Sequence, residues 1–220
     1  MLLGLYDRLF KEFGPQNWWP AETPFEVIIG AILTQQTSWK NVEKAIKNLK
    51  QSGYLNPEKL KDLEINKLEY LIKPSGYYRQ KAKKIKNFID FLWKRYDGKL
   101  GDFLDQRIDN LRNELLSIKG IGKETADSII LYAANKPIFV VDAYTVRIIN
   151  RIGIFNEKEY DKVQEFFQKN LPLDVKIFNE FHALLVNLGK NYCKKKQPDC
   201  EKCPVNDICL HLRSNFNHLK

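Results

Sequence analysis

Four cysteines share one short run, CKKKQPDCEKCPVNDIC, at Cys193, Cys200, Cys203 and Cys209, and the chain has no others. Their spacing is C-x6-C-x2-C-x5-C. In a chain of intracellular type, four thiolates this close bind metal more readily than they pair as disulfides. Zinc sites usually show two separated C-x2-C pairs. One compact run with unequal gaps suits wrapping a [4Fe–4S] cubane, and Pro204 follows the third cysteine. Lys194, Lys195 and Lys196 lie in the first gap. The plain reading is a solvated turn; the functional one is contact with phosphate.

A second stretch, LLSIKGIGKETADSII, spans residues 115–130. Leu115 and Ile118 anchor one helix, Gly120-Ile121-Gly122 turns the chain, and Ala126, Ile129 and Ile130 anchor another. Glycine permits positive φ and close approach of a second backbone. Ile121 can plug the space between the helices. The N–H groups opening the second helix suit a phosphate, and Lys119 and Lys123 flank them with positive charge. This is a helix-hairpin-helix pattern, a grip on a DNA backbone that ignores sequence. An ordinary αα-corner with a glycine turn is the competing reading. The apolar frame, the small Ala126 and the flanking lysines favour DNA.

The elements that must carry these residues read as helices. Val42, Ala45, Ile46 and Leu49 lie on one helical face, with Ser38 as a cap. Ala82, Ile85, Ile89, Leu92 and Trp93 repeat the pattern, with Trp93 read as core, as do Ile177, Phe178, Phe181, Leu184, Leu185 and Leu188. Only IFVV, Ile138 to Val141, looks strand-like. The expected fold class is all-α, with Pro/Gly/Asn punctuation between helices. At 220 residues the chain can bury a sizeable core in one large or two small domains. A net charge of +9 and a pI near 9.2 point to an anionic partner, nucleic acid before a membrane surface; a lysine-rich thermophile surface would look similar. No apolar run reaches the roughly 18 residues of a membrane helix. The amphipathic start MLLGLYDRLFKEFG is no signal peptide, so an intracellular, cytoplasmic and nucleoid-associated protein is expected.

The hairpin and the cysteine run resemble the endonuclease III-like superfamily of helix-hairpin-helix DNA glycosylases, iron–sulfur branch. A third element fits: the family carries an aspartate shortly after the hairpin in an apolar-V-D-x-(H/Y) context, here VVDAYTVRI with Asp142. The resemblance runs from about Phe25 to Cys209. It implies a helical barrel over residues 22–136 ending in the hairpin, a cluster domain of 1–21 plus 137–220, and a DNA cleft between them. It implies a monomer acting on double-stranded DNA that contains a damaged base.

The resemblance also assigns roles. The family's reaction breaks an N-glycosidic bond as positive charge grows on the sugar, and a carboxylate at Asp142 would stabilise that state and orient the nucleophile. By sequence alone Asp142 is a good helix N-cap, and both roles are compatible. In lyase members the hairpin reads G-h-G-(R/K)-K-T-A, and the last lysine attacks the sugar. Here GIGKETA places Glu124 there, and a carboxylate cannot form a Schiff base. That implies hydrolysis by water, with lyase activity weak or absent. Gln36, in ILTQQTSW, takes the place of the glutamine that fills the gap left by the flipped base. NWWP, PSGYYRQKAKK and KGIGKE together resemble the helix-hairpin-helix 3-methyladenine glycosylases, whose base pocket maps onto Trp18 and Trp39, with Trp19 and Glu124 beside them. Members of that subgroup can lack the cysteines, and this chain has four. Uracil, hypoxanthine or oxidised guanine, an endonuclease III-type glycosylase/lyase, and a non-catalytic iron–sulfur DNA-binding protein therefore stand as alternatives.

Overall fold

The computed structural model describes residues 1–217, with side chains to Arg213. The described residues are helical and contain no strand. None of their helices is long and apolar enough to cross a membrane. The chain divides into two compact units, one of Met1–Trp18 with the chain from Pro137 onward, the other Trp19–Lys136.

Helix α1 (Leu2–Phe13) opens the first unit and buries Leu2, Leu5 and Leu9. The second unit follows with α2 (Pro24–Leu33), α3 (Trp39–Gln51), α4 (Pro57–Asp62), α5 (Ile65–Ile72), α6 (Tyr78–Tyr96), α7 (Leu100–Leu104), α8 (Ile108–Ser117) and α9 (Lys123–Ser128). Helix α2 is buried from Phe25 to Leu33 because PFEVIIGAIL is apolar apart from Glu26. Thr23 caps it by accepting the Glu26 N–H at 3.1 Å, and Pro24 sits where no donor is needed. Val42, Ala45, Ile46 and Leu49 of α3 are buried, as their spacing predicts. Ser38 holds the N-cap position of α3, but its side chain makes no cap hydrogen bond.

Lys81 of α6 is 2% exposed. Its ammonium donates to Leu33 O at 2.8 Å, where α2 ends, and to Ser75 O at 2.7 Å, in the turn that follows α5. Burial, with the Lys84 charge nearby, brings its pKa down to about 8. Trp93 is not the core residue its helical face suggests: it is half-buried, with the Lys61 ammonium 3.9 Å over its ring. Beyond α9 the backbone widens into a π turn over Ile129–Ala133, so the apolar frame of the hairpin's second helix continues at a different pitch.

The first unit resumes with α10 (Ala143–Ile152), α11 (Tyr160–Asn170), α12 (Val175–Asn191) and α13 (Leu210–Asn217). Its core is aromatic: Phe139 stacks on Phe167 at 4.1 Å and meets Phe178 edge-on at 5.5 Å. Gly189 lets α10 and α12 approach, since a Cβ there would fall 2.3 Å from Tyr144 Cδ1. Ile138–Val141 are buried but form no strand. Side chains take the place of a ladder: the Phe139 N–H donates to Gln168 Oε1 at 3.0 Å, and Phe139 O accepts from Gln164 Nε2 at 2.7 Å.

Candidate active site and cysteine centre

The hairpin is built inside the second unit. Leu115, Ile118, Ile121, Ala126, Ile129 and Ile130 are buried, and Ile121, 5% exposed, fills the turn. Gly120 has φ 101°, and a Cβ there would lie 2.4 Å from Lys84 Cγ, so only glycine lets that lysine stem cross the turn. Gly122 is the N-cap of α9. Lys119, Gly122, Lys123 and Glu124 are exposed.

Side chains that sequence reasoning passed over hold this turn. Asn87 Nδ2 donates to Lys119 O at 2.8 Å. Gln35 Nε2 donates to Gly120 O at 3.3 Å and to Thr125 Oγ1 at 2.9 Å, while Lys84 Nζ donates to Gln35 Oε1. The two hairpin helices are joined by Arg112 and Asp127, with Arg112 Nε and Nη2 donating at 2.7 and 3.1 Å to a carboxylate whose side chain is fully buried. The signal for Asp127 was present: an acid inside an apolar helical frame demands a partner. The neighbour of Gln35, Gln36, is exposed with φ 55°, a backbone state uncommon outside glycine. Tyr77, 61% exposed with φ 44°, shows the same combination and was not singled out by sequence.

Trp19 and Trp39 meet edge-to-face at 5.1 Å, and Trp19 leans on Tyr132 at 5.3 Å. Gly30 makes room for the Trp19 indole, 3.2 Å from where a Cβ would sit. A pocket of about 340 Å³ opens beside both indoles and reaches Glu26, which pairs with Lys50 at 2.9 Å. Trp18 is half-buried and belongs to the first unit.

In the first unit Asp142 caps α10. Its Oδ1 accepts the Thr145 N–H at 2.7 Å and the Thr145 hydroxyl at 2.9 Å. Its Oδ2 lies 3.7 Å from Nε2 of the buried His182 on α12. Burial pushes the Asp142 carboxyl up, but His182 and the two Thr145 bonds outweigh it and hold the pKa below the usual carboxylate range. The cap that sequence reads here is present, and it leaves a charged, shielded carboxylate with its second oxygen on the His182 side.

Cys193, Cys200, Cys203 and Cys209 are half-buried and line one pocket with Ile148 and Val205. Burial pushes the Cys203 thiol up to about 11, and the neighbouring sulfurs of Cys193, Cys209 and Cys200 add to it. Burial and the sulfurs of Cys209 and Cys193 raise Cys200. Four sulfurs lining one pocket suit a metal centre, because bound metal deprotonates coordinating thiols outright. The donor set thus fits a thiolate-held iron–sulfur cluster. Among the described residues, no group of three or more His, Cys, Asp or Glu is arranged to hold a metal ion. Lys194, Lys195 and Lys196 are exposed on the intervening loop.

Comparison with known proteins agrees with the hairpin and the helical architecture. The family model described as HhH-GPD superfamily base excision DNA repair protein matches residues 29–173. A Methanocaldococcus jannaschii protein provisionally described as a DNA repair glycosylase is 50% identical over 96% of both chains. The structure of a non-covalent endonuclease III–DNA complex superposes with a TM-score of 0.84 at 25% identity, over 98% of this chain and 97% of that one. The Helicobacter pylori 3-methyladenine DNA glycosylase bound to 1,N6-ethenoadenine gives a TM-score of 0.73 at 29% identity, over 86% and 95%. The chain belongs to the HhH-GPD superfamily of base excision DNA repair proteins and is a DNA glycosylase of that fold.

Proposed function

We propose that this glycosylase removes alkylated purines from double-stranded DNA by hydrolysis, with little or no lyase activity. One observation carries the reading: Glu124, exposed in the first turn of α9, sets a carboxylate where a lyase needs an amine. Water is then the nucleophile. It bonds to the anomeric carbon as the N-glycosidic bond breaks, and the base leaves with the electron pair. Asp142, held ionised by His182 and Thr145, stabilises the cationic sugar and orients the water, which yields its proton to solvent as the new bond forms. Trp39 and Trp19, whose indoles line the pocket of the second unit, supply the stacking faces for the extruded base. An electron-poor alkylated purine stacks well on indole and leaves easily. The similarity to a 3-methyladenine glycosylase bound to 1,N6-ethenoadenine supports this substrate class.

Gln36, exposed on a left-handed backbone, fills the vacated stack. The hairpin Lys119–Lys123 and the Lys194–Lys196 loop hold phosphates. Cys193, Cys200, Cys203 and Cys209 hold a [4Fe–4S] cluster that shapes this loop; when bound, the cluster supplies the positive charge that keeps the four thiolates together. The protein acts as a monomer. A second reading, an endonuclease III-type glycosylase/lyase, is favoured by the exposed amines of Lys119 and Lys123 beside Glu124.

Duplexes carrying single modified bases test both readings. Cleavage at 3-methyladenine or 1,N6-ethenoadenine only after hot alkali supports the proposal. Cleavage without alkali, with a borohydride-trapped adduct, supports the lyase. Activity confined to uracil, hypoxanthine or oxidised guanine overturns the alkylpurine assignment. Trp39→Ala should lower excision by roughly one to two orders of magnitude, the loss of about 1–3 kcal/mol of stacking.

A further inference from the structure

The turn that follows α2 is tied down on both sides of Gln35. Before it, the Lys81 ammonium holds Leu33 O at 2.8 Å. After it, the Thr37 N–H donates to Thr34 O at 3.3 Å, and Asn41 Nδ2 donates to Thr37 Oγ1 at 3.2 Å. Gln35 itself turns its carboxamide to the hairpin. Its Nε2 donates to Gly120 O at 3.3 Å and to Thr125 Oγ1 at 2.9 Å, and its Oε1 accepts from Lys84. The next residue, Gln36, is exposed and sits at φ 55°. A left-handed residue other than glycine persists only where its surroundings hold it. All of these groups lie in the second unit.

We propose that Gln35 is a positioning residue that couples the gap-filling Gln36 to the phosphate-gripping hairpin. The inference rests on the gap-filling reading of Gln36 above. Consecutive Cα atoms are about 3.8 Å apart, so whatever fixes Gln35 fixes where Gln36 leaves the surface. A carboxamide both accepts and donates. Here the oxygen takes the Lys84 ammonium, and the nitrogen serves the turn carbonyl of the hairpin and a hydroxyl in the first turn of α9. Once Lys119–Lys123 seat on a DNA backbone, Gln36 therefore stands at a set distance from it. The side chain meets the duplex already aimed, and less ordering is left to be done on insertion. The hairpin itself does not need Gln35, since Ile121, Asn87 and the Arg112–Asp127 pair hold it independently. Loss of the carboxamide frees Gln36 and leaves the phosphate grip in place.

The test compares the parent with Gln35→Met, Gln36→Ala and the double variant. It reads the ratio of affinities for a duplex with a tetrahydrofuran abasic site and for the same duplex undamaged. A partly unfolded variant weakens both affinities alike and leaves this ratio unmoved. Gln35→Met keeps the length of the side chain and loses its hydrogen bonds. It should lower the preference for the abasic duplex by about tenfold, the scale of losing two neutral hydrogen bonds. The double variant should fall no further than Gln36→Ala. The slope of log K against log salt on undamaged duplex should match the parent's in every variant, because Lys119 and Lys123 keep their phosphates. A parental ratio in Gln35→Met beside a loss in Gln36→Ala overturns the proposal, and so do additive losses in the double variant. A reduced salt slope in Gln35→Met would show that the hairpin had moved, and overturns it too. A parent with no preference for the abasic duplex, or a Gln36→Ala that keeps it, defeats the gap-filling reading and the coupling with it. If Gln35→Met does not accumulate as folded protein, Gln35→Glu decides on the same measurements, since its carboxylate accepts from Lys84 but has no hydrogen for Gly120 O.

Discussion

The hairpin and the cysteine loop both present lysines to solvent, yet they are held in different ways. The hairpin is finished by folding. Ile118 and Ile121 are buried under it, Gly120 lies against the Lys84 stem, Gln35 and Asn87 take its carbonyls, and the Arg112–Asp127 pair joins its helices. Between Cys193 and Cys209, Val205 is the one buried apolar side chain, and the cysteines are half-buried. Backbone order costs roughly 1–2 kcal/mol per residue, and a loop with so little apolar burial draws its order from what its thiols hold. Of two surfaces with the same charge, one is thus set by packing, and we propose that the other is set by ligation.

The comparison breaks most sharply at the cysteines. Cys203→Ala should abolish iron binding and open residues 193–209 to hydrogen exchange, while amides of Lys119–Ser128 keep their protection. Equal loosening of both regions would mean that the hairpin, too, depends on the centre. Next in size is Asp127→Ala. It leaves the Arg112 guanidinium without its carboxylate in a largely buried site and should cost about 3–5 kcal/mol. For a chain of this size that lowers Tm by about 10 °C, with iron content unchanged. Thermal melts and iron assays together read this out, and an unmoved Tm would show that packing alone holds the hairpin. The smallest effect concerns DNA affinity. Lys123→Ala should reduce the salt slope by roughly 0.9 whether or not the centre is loaded. Replacing Lys194–Lys196 should reduce it only in loaded protein. A loop contribution that survives iron removal would erase the distinction.

Much of this was legible because it is local. The glycine turn with its apolar frame declares the hairpin within a few residues, and Asp142 before AYTVRII declares a cap. The supports of the hairpin were not legible: Gln35 lies 85 residues from Gly120, and Asn87 lies 32 from Lys119. No periodicity reports such pairs. IFVV failed for a related reason. β-branched and aromatic composition says that a segment is extended and buried, and whether Gln164 and Gln168 or another strand take its backbone is decided far along the chain. The π turn at Ile129–Ala133 escaped because its apolar spacing is also that of an α-helix.

The carboxyl of Asp142 also has a pH signature. Its pKa is depressed in the fold, so the stability it contributes is present above the unfolded-state pKa and is lost as pH falls through the lower folded value. The acid limb of excision due to this group should therefore lie below the ordinary carboxylate range, measured as single-turnover rate against pH; a midpoint within or above that range would mean that Asp142 is not held ionised as described.

We propose that a shielded, ionised Asp142 drives base removal by water. The most direct test is single-turnover excision of a 3-methyladenine or 1,N6-ethenoadenine duplex by Asp142→Asn beside the parent, with borohydride present in parallel. The substitution keeps shape and the Thr145 bonds but removes the charge. Excision should fall by about two to three orders of magnitude, lesion-DNA binding should hold or strengthen, and neither protein should be trapped on DNA. Near-parental excision by Asp142→Asn would reduce Asp142 to a helix cap, and efficient trapping of the parent would replace water with a lysine nucleophile.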